Sequence, residues 1–239
     1  MHRTPPGAGK RAGWLAEGEE KRTGLESGPL DAAFLDVFES TAAYVAWLRE
    51  RLVATRAAMK ASAVVAVHCD FRASHHVRLL MDELYTPHCF VNHLIWHYGL
   101  GGSSPRRFAR KHDDIIVYCL APALYYFEPP MVAATSQKMK GKMKKATDVV
   151  RVADDSLLDV ASLNNMARER TGYPTQKPLA LLELLVRAFC PLGGTVLDPT
   201  CGSGTTLVAA KKLGREAIGF DVSADAVDVA RGRVLAADA

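Results

Sequence analysis

The chain has 239 residues, 49% of them hydrophobic, and a formal net charge of +4. That length and apolar content are enough to bury a sizeable core in one large domain, which excludes a largely disordered chain. No apolar run reaches the roughly 18 residues that a membrane helix needs, and the first residues lack the apolar core of a secretory signal, so we expect a cytoplasmic protein. The five scattered cysteines form no CxxC pair, so the sequence indicates neither a disulfide framework nor a metal site.

The first half of the chain predicts strands and helices in alternation. Residues 1–35 are rich in Gly, Pro, Glu and Lys and are expected to form a loop. A helix is predicted behind Ser40 or Thr41 as its cap, and its apolar face consists of Val45, Leu48, Leu52 and Met59. The stretch AVVAVHCD predicts a short buried strand that ends at His68-Cys69-Asp70, and SHHVRLLMDELY predicts a second helix.

Two further strands are predicted before the pattern becomes irregular. VNHLIWHY alternates with Leu94, Trp96 and Tyr98 on one face, and DDIIVYCL follows a basic, glycine-rich loop, so these two strands are expected to pair. Regularity fades over 121–170, which predicts an inserted region or a long loop outside the main sheet. PLALLELLVRAFC then predicts another helix, with Pro178 in its first turn.

The stretch VLDPTCGSGTTLVAAKKLGREAIGFDVS predicts a strand, a glycine turn, a helix and a second strand that ends on an acid. A Walker loop needs Lys and then Ser or Thr after its last glycine, but Gly204 is followed by two threonines. The dinucleotide fingerprint has glycines at Gly202 and Gly204 but Leu207 in its third position. Neither common phosphate-binding pattern fits, which disfavours a nicotinamide-dependent dehydrogenase.

Two acids frame this glycine turn. Asp198 ends the first strand, where a carboxylate would repel a phosphate but would attract a cationic amine. Asp221 ends the second strand, where it is placed to accept hydrogen bonds from both hydroxyls of a ribose. A ribose with an ammonium group and no phosphate describes S-adenosylmethionine. The alternative is a purely structural strand-to-helix turn, although glycines alone would not require two acids at this spacing.

The stretch TGYPTQKPLALLELLVRAFCPLGGTVLDPTCGSGTT resembles the joined cofactor motifs of the permuted β-type amino-group DNA methyltransferases, TQKP followed by D-P-x-x-G-S-G-T-T. The likeness extends upstream to about residue 40. It implies a circularly permuted, Rossmann-like α/β fold with a mixed, mostly parallel sheet and helices on both faces. A single methyltransferase domain would then consist of a catalytic-motif remnant (1–39), a catalytic half (40–120), part of a target-recognition insertion (121–170) and a cofactor-binding half (171–239).

The resemblance also implies which residues hold S-adenosylmethionine. The residues assigned to the cofactor on this ground are Asp198, Thr200, Cys201, Gly202, Ser203, Gly204, Thr205 and Asp221, with Thr175 and Lys177 from the TQKP motif covering the pocket. Lys177 has an alternative interpretation as an ordinary lysine at the start of a helix. No metal is implied.

The catalytic motif of the family, (Asp, Asn or Ser)-Pro-Pro-(Tyr, Phe or Trp), corresponds here to Thr4-Pro5-Pro6-Gly7. In the family, polar acceptors take hydrogen bonds from the target amine and the aromatic ring stacks on a flipped base. Threonine is a weaker acceptor than a carboxylate and glycine provides no ring, although the Pro5 carbonyl remains as an acceptor. The alternative is that this Pro-Pro pair is accidental.

A second departure lies just before that motif. Only three residues precede Thr4, so the apolar strand that leads into the family's motif is expected to be missing. Without it, the strands at 63–68 and 195–198 must either pair directly or leave open edges. We therefore expect either an active methyltransferase or a truncated or degenerate remnant that binds cofactor and DNA.

Basic residues cluster in two places, which is compatible with a polyanionic partner. The residues assigned to DNA contacts are Arg106, Arg107, Arg110, Lys111, Lys140 and Lys142. Solvated basic loops are the alternative interpretation. The resemblance implies double-stranded DNA as the substrate, methylated on an exocyclic amine, adenine N6 rather than cytosine N4. It leaves open a homodimer and a companion restriction endonuclease.

Overall fold

The structure is a computed structural model that describes residues 38–98, 105–134, 136–151, 169, 171, 173 and 176–237. Strands and helices alternate through most of these residues. The first half contains α1 (Thr41–Ala58), β1 (Val64–Cys69), α2 (Ser74–Tyr85), β2 (Phe90–His97), β3 (His112–Cys119), β4 (Met131–Ala133), β5 (Met143–Lys145) and β6 (Val149–Arg151). The second half contains α3 (Leu179–Phe189), β7 (Thr195–Asp198), α4 (Thr205–Lys212), β8 (Glu216–Gly219) and α5 (Ala224–Ala236).

The first helix begins where the sequence predicts. The Ser40 hydroxyl accepts a hydrogen bond from the Ala43 amide at 3.1 Å, which satisfies one of the unpaired donors of the first turn. Leu48 and Leu52 are buried on its inner face. The cap and the apolar face are therefore both confirmed.

The main sheet has four strands in the order β1-β3-β2-β6. The central strand β3 pairs antiparallel with both β1 and β2, as expected for the latter. Because side chains alternate along a strand, Ile116 and Tyr118 pack towards α1 and α2, while Ile115 and Val117 pack with Leu181 of α3. Helices therefore cover both faces, as in other α/β sheets.

The prediction that 121–170 lies outside the main sheet is wrong for its strand β6. This strand pairs in parallel with β2, from Ile95 opposite Val149 to His97 opposite Arg151. Val150 is almost completely buried, which explains why the segment joins the sheet. Three residues are too few to show a hydrophobic period, so the sequence carried no signal for this strand.

The cofactor half forms its own ladder, in which β7 and β8 pair in parallel. The α/β class with helices on both faces is confirmed, but the expected predominance of parallel pairing is wrong in the described residues, where antiparallel pairs join β1 to β3, β2 to β3 and β4 to β5. The expected single sheet is likewise not found there, because β1 pairs with β3 and β7 with β8 and the two ladders are separate. Of the two outcomes expected for β1 and β7, direct pairing is therefore excluded within the described residues.

Candidate cofactor site

The glycine turn between β7 and α4 has a backbone that only glycine accepts easily. Gly202 has φ +49° and Gly204 has φ +75°, both in the left-handed region. A β-carbon at Gly204 would lie 2.6 Å from the Ala230 methyl group, so α5 packs directly against the turn. The glycines therefore allow both the tight turn and the close contact with α5.

Asp198 lies at the carboxyl end of β7 and is partly buried. Burial raises the pKa of its carboxyl group, and the nearby Asp221 raises it further, while hydrogen bonds from Thr206 and from the Thr200 amide act in the opposite direction. The Thr200 bond is 3.1 Å long. A cationic ligand would stabilise the ionised carboxylate, which burial and the nearby Asp221 otherwise disfavour.

Asp221 connects the two strand ends of this site. One carboxylate oxygen accepts a hydrogen bond from the Gly202 amide at 2.8 Å, and the other accepts one from the Ser223 amide at 3.0 Å. Each oxygen keeps a second lone pair that can accept from a ligand hydroxyl. The adjacent Val222 side chain is 100% exposed and gives the site an apolar rim.

Ser203 and Thr205 were expected to line the pocket, but both are buried beneath the turn. A nitrogen of the Arg233 guanidinium lies 2.7 Å from the Ser203 carbonyl, 3.1 Å from the Ser203 hydroxyl and 2.9 Å from the Thr205 hydroxyl. The two side chains therefore support the turn from below. Arg233 was missed by the sequence interpretation, although its helical spacing from Ala226 and Ala230 places it near their buried face.

Cys201 is buried at the start of the turn, where its amide donates to the Phe220 carbonyl at 2.8 Å. Burial, together with Asp198 and Asp221, raises the pKa of its thiol to about 11. The side chain is therefore a neutral thiol at pH 7, and its place in the site is that of a small apolar group.

Tyr173, two residues before the TQKP motif begins at Thr175, packs over the glycine turn. A β-carbon at Gly202 would lie 2.9 Å from the ring of the buried Tyr173, so this ring rests on the turn. The Gln176 side chain donates to the Glu169 carbonyl at 2.6 Å and accepts from Thr171. The Glu169 carboxylate in turn accepts from the Leu179 amide and caps α3. Thr175, the other residue predicted here, lies outside the described residues.

The charge of Lys177 acts on a polar pair at the carboxyl end of β1. His68 Nε2 is 3.1 Å from Asp113 Oδ2, and the buried Tyr98 hydroxyl donates to Asp113 Oδ1 at 2.9 Å. Burial and the charge of Lys177 both lower the pKa of His68, against the opposing effect of Asp113. Lys177 therefore belongs to a polar cluster with His68 and Asp113.

This placement brings the ends of β1 and β7 to one edge of the molecule. Tyr173 contacts the turn that follows β7, and Lys177 is near His68 at the end of β1. Four residue steps span at most about 14 Å, so this short segment links the surroundings of the two strand ends. Ligands of α/β proteins bind at such carboxyl ends.

The residues predicted to contact DNA lie on two surface segments. Arg106, Arg107 and Arg110 are exposed just before β3, and Lys111 beside them is partly buried. Lys140 and Lys142 are exposed between β4 and β5. The predicted catalytic residues Thr4, Pro5, Pro6 and Gly7 lie outside the described residues. No helix in the described ranges has the length and apolar content needed to cross a membrane.

Comparison with known proteins gives a family and a fold. The sequence profile of a family described as DNA methylase matches residues 17–232. The type II methyltransferase M.ScaI of Streptomyces caespitosus is 32% identical over 169 residues, which cover 66% of this chain and 54% of that protein. For M.HpaI of Haemophilus parainfluenzae the identity is 29%, with 61% and 45% covered. The chain thus spans about half the length of these curated relatives.

Solved structures of similar fold include a complex with SAM and a DNA methyltransferase. The M1.HpyAVI complex with SAM superposes with a TM-score of 0.58 at 22% identity, covering 79% of this chain and 82% of that one. PvuII DNA methyltransferase, described as cytosine-N4-specific, superposes with a TM-score of 0.59 at 14% identity, covering 81% and 71%. At these identities the likeness concerns the fold, and it confirms the methyltransferase fold predicted from the sequence.

Proposed function

The chain belongs to the N6/N4 family of DNA methylases, and from that membership we propose that it transfers a methyl group from S-adenosylmethionine to an exocyclic amine of a DNA base. The observation that carries the proposal is the pair of acids, Asp198 and Asp221, on either side of a glycine turn at the carboxyl ends of β7 and β8. A phosphate-bearing ligand would be repelled from this pair.

The residues present fit S-adenosylmethionine, which supplies an electrophilic methyl group on a sulfonium centre. Asp198 would hold the ammonium group, because burial and the nearby Asp221 raise the pKa of its carboxyl group and a cation bound there would stabilise the ionised form. Asp221 would accept from the ribose hydroxyls, and the exposed Val222 would pack on the adenine ring. Of the other residues assigned to the cofactor, Thr200, Cys201, Gly202 and Gly204 shape the turn, Ser203 and Thr205 support it, and Thr175 and Lys177 are assigned to its cover.

The target amine is a poor nucleophile because its lone pair is delocalised into the ring of the base. An acceptor atom must take hydrogen bonds from the amine, and so localise its lone pair, while the nitrogen is held in line with the methyl group. We assign this role to Thr4 and the Pro5 carbonyl, with Pro6 stiffening the backbone and Gly7 leaving the stacking position without a ring. Adenine N6 is the proposed target, with cytosine N4 as the alternative.

Double-stranded DNA is the proposed substrate, bound through the two exposed basic segments. Arginine and lysine side chains that contact phosphates position a duplex without reading its sequence. We propose further that the chain is a single methyltransferase domain and acts in the cytoplasm. That it forms a homodimer, and that a restriction endonuclease accompanies it, are still predictions.

The experiment that tests the proposal measures transfer of labelled methyl groups from S-adenosylmethionine to unmethylated duplex DNA, with digestion to identify the modified base. Incorporation above a control without enzyme, as N6-methyladenine, is the expected result. Incorporation as N4-methylcytosine would show that cytosine N4 is the target and would leave the proposed methyl transfer unchanged.

A second candidate is a remnant that binds cofactor and DNA but transfers nothing, and the altered residues Thr4 and Gly7 favour it. Cofactor binding without transfer would establish that candidate for the natural chain. Thr4→Asp combined with Gly7→Tyr should then raise transfer, because the variant restores both a strong acceptor and a stacking ring. A folded double variant with no gain would count against the assignment of this motif.

A further inference from the structure

Phe108 is a fully exposed aromatic side chain in the basic segment that precedes β3. Its exposed fraction is 98%, so almost the entire ring contacts water. Single exposed apolar residues are common, but this ring is flanked by Arg106, Arg107 and Arg110, all of them exposed. An aromatic ring among arginines is the combination that binds the bases and the phosphates of a nucleic acid together.

The segment is anchored on the C-terminal side of this ring. The Arg110 guanidinium lies 3.9 Å from the centre of the Phe71 ring, which follows the end of β1. The Lys111 carbonyl accepts a hydrogen bond from the Tyr98 amide at 2.7 Å, and β3 begins at the next residue. The backbone that follows Phe108 is therefore held in place.

This anchored part of the backbone lies at the same edge of the molecule as the candidate cofactor site. Phe71 follows the carboxyl end of β1, and this end contacts Asp113 at the amino end of β3 through His68. The charge of Lys177, in the TQKP motif, acts on the same pair. A duplex that presents a base to the cofactor turn would therefore pass close to Phe108.

We propose that Phe108 stacks into the DNA duplex where the target base has left it, while Arg106 and Arg107 contact the flanking phosphates. The inference rests on the proposed function, since it assigns a residue to binding of the same DNA substrate. Removing a base from the stack costs stacking energy, and a ring that fills the opening offsets part of that cost.

The test uses two duplexes of the same sequence, one intact and one with a single abasic position, so that no knowledge of the recognition site is required. Fluorescence anisotropy would give the dissociation constants of the whole chain for each. Wild type should prefer the abasic duplex by about 5- to 150-fold, the range expected for one stacked ring. Phe108→Ala should bind both equally, and Phe108→Trp should keep the preference.

Two matched controls separate stacking from charge and from general loss of structure. Leu79→Ala removes another exposed apolar side chain, 67% exposed on α2, and should leave the preference unchanged. Arg107→Ala should lower the slope of log K against log salt by about 0.9, whereas Phe108→Ala should leave this slope unaltered.

Retention of the preference in Phe108→Ala, or its absence in wild type, would overturn the inference. A fall in melting temperature with Phe108→Ala and no change in DNA binding would show that the ring packs on another part of the chain and would also overturn it. If wild type binds neither duplex, the DNA surface is wrong, and calorimetry with S-adenosylmethionine decides separately whether the cofactor assignment stands.

Discussion

The Arg233 guanidinium donates hydrogen bonds to the Ser203 carbonyl at 2.7 Å and to the Ser203 hydroxyl at 3.1 Å. The cation on α5 therefore fixes the backbone of a turn that lies 30 residues earlier in the chain. A third bond goes to the Thr205 hydroxyl at the start of α4. The shape of the candidate cofactor site thus depends on a residue that does not line it.

Replacement of Arg233 should weaken cofactor binding without removing any group that touches the cofactor. Arg233→Met leaves the Ser203 carbonyl and two buried hydroxyls without their charged donor, which should cost about 2 kcal/mol of stability. We expect the dissociation constant for S-adenosylmethionine to rise roughly 10-fold in calorimetry, because a turn that adopts its binding shape only about a tenth of the time binds about a tenth as tightly. Arg231→Met, on the exposed face of the same helix, is the matched control and should change neither quantity.

Gly204→Ala should destabilise the chain by about 2–5 kcal/mol, because a left-handed backbone and a steric clash act together. The added β-carbon would lie 2.6 Å from the methyl group of Ala230. Adding Ala230→Gly removes that methyl group and should restore part of the loss in urea denaturation, while the strain at φ +75° and the 2.9 Å approach to the Cα of residue 230 remain. Gly232→Ala meets no atom within 4 Å and should be neutral or stabilising. Equal losses of stability in Gly204→Ala and Gly232→Ala would contradict the packing of α5 against the turn.

Asp198→Asn should raise the melting temperature of the free chain near pH 7 and weaken cofactor binding. The pKa of this carboxyl is raised by burial and by Asp221, so its ionised form penalises the folded state increasingly as the pH rises through that pKa. The amide removes the penalty but also the charge that would attract an ammonium group, and affinity should fall at least about 10-fold. Asp228→Asn, exposed on α5, should leave both measurements unchanged. A lower melting temperature for Asp198→Asn would refute this account of the acid.

Stability should decline below the ordinary histidine pKa of 6.5, in part because of His68. Burial and Lys177 lower the pKa of this residue in the folded chain, so its contribution is present above 6.5 and is lost as the pH falls. The slope from one group is at most about 1.4 kcal/mol per pH unit. His68→Gln should flatten the dependence of the unfolding free energy on pH between 6.5 and 5, whereas His75→Gln on the exposed face of α2 should not. An unchanged profile in His68→Gln would exclude this contribution.

The elements with a clear hydrophobic period were predicted from sequence, and those set by tertiary contacts were not. The face of α1 formed by Leu48 and Leu52, with Ser40 as its cap, needed only local information. The His68–Asp113 pair depends instead on the register of β1 against β3, which aligns Cys69 with Asp114. No spacing within the sequence specifies that register, so the cluster was not foreseen.

The residues of the candidate site likewise include some that were predicted from the sequence and some that were not. The acids Asp198 and Asp221 were recognised because strand ends and glycine turns leave a pattern in the sequence. The inward orientation of Ser203 and Thr205 was not, since it depends on a guanidinium delivered by a helix that follows β8. Local chemistry thus identified the ligand-facing groups, whereas the groups that support them required the fold.

Calorimetric titration of the chain with S-adenosylmethionine, with Asp221→Asn as the paired variant, shows whether the turn holds this cofactor. We expect one cofactor bound per chain and a loss of affinity in the variant, because the amide cannot accept from two ribose hydroxyls as a carboxylate does. Absence of binding by a folded wild-type chain, or equal affinity in Asp221→Asn, would contradict the claim that the turn between Asp198 and Asp221 holds this cofactor.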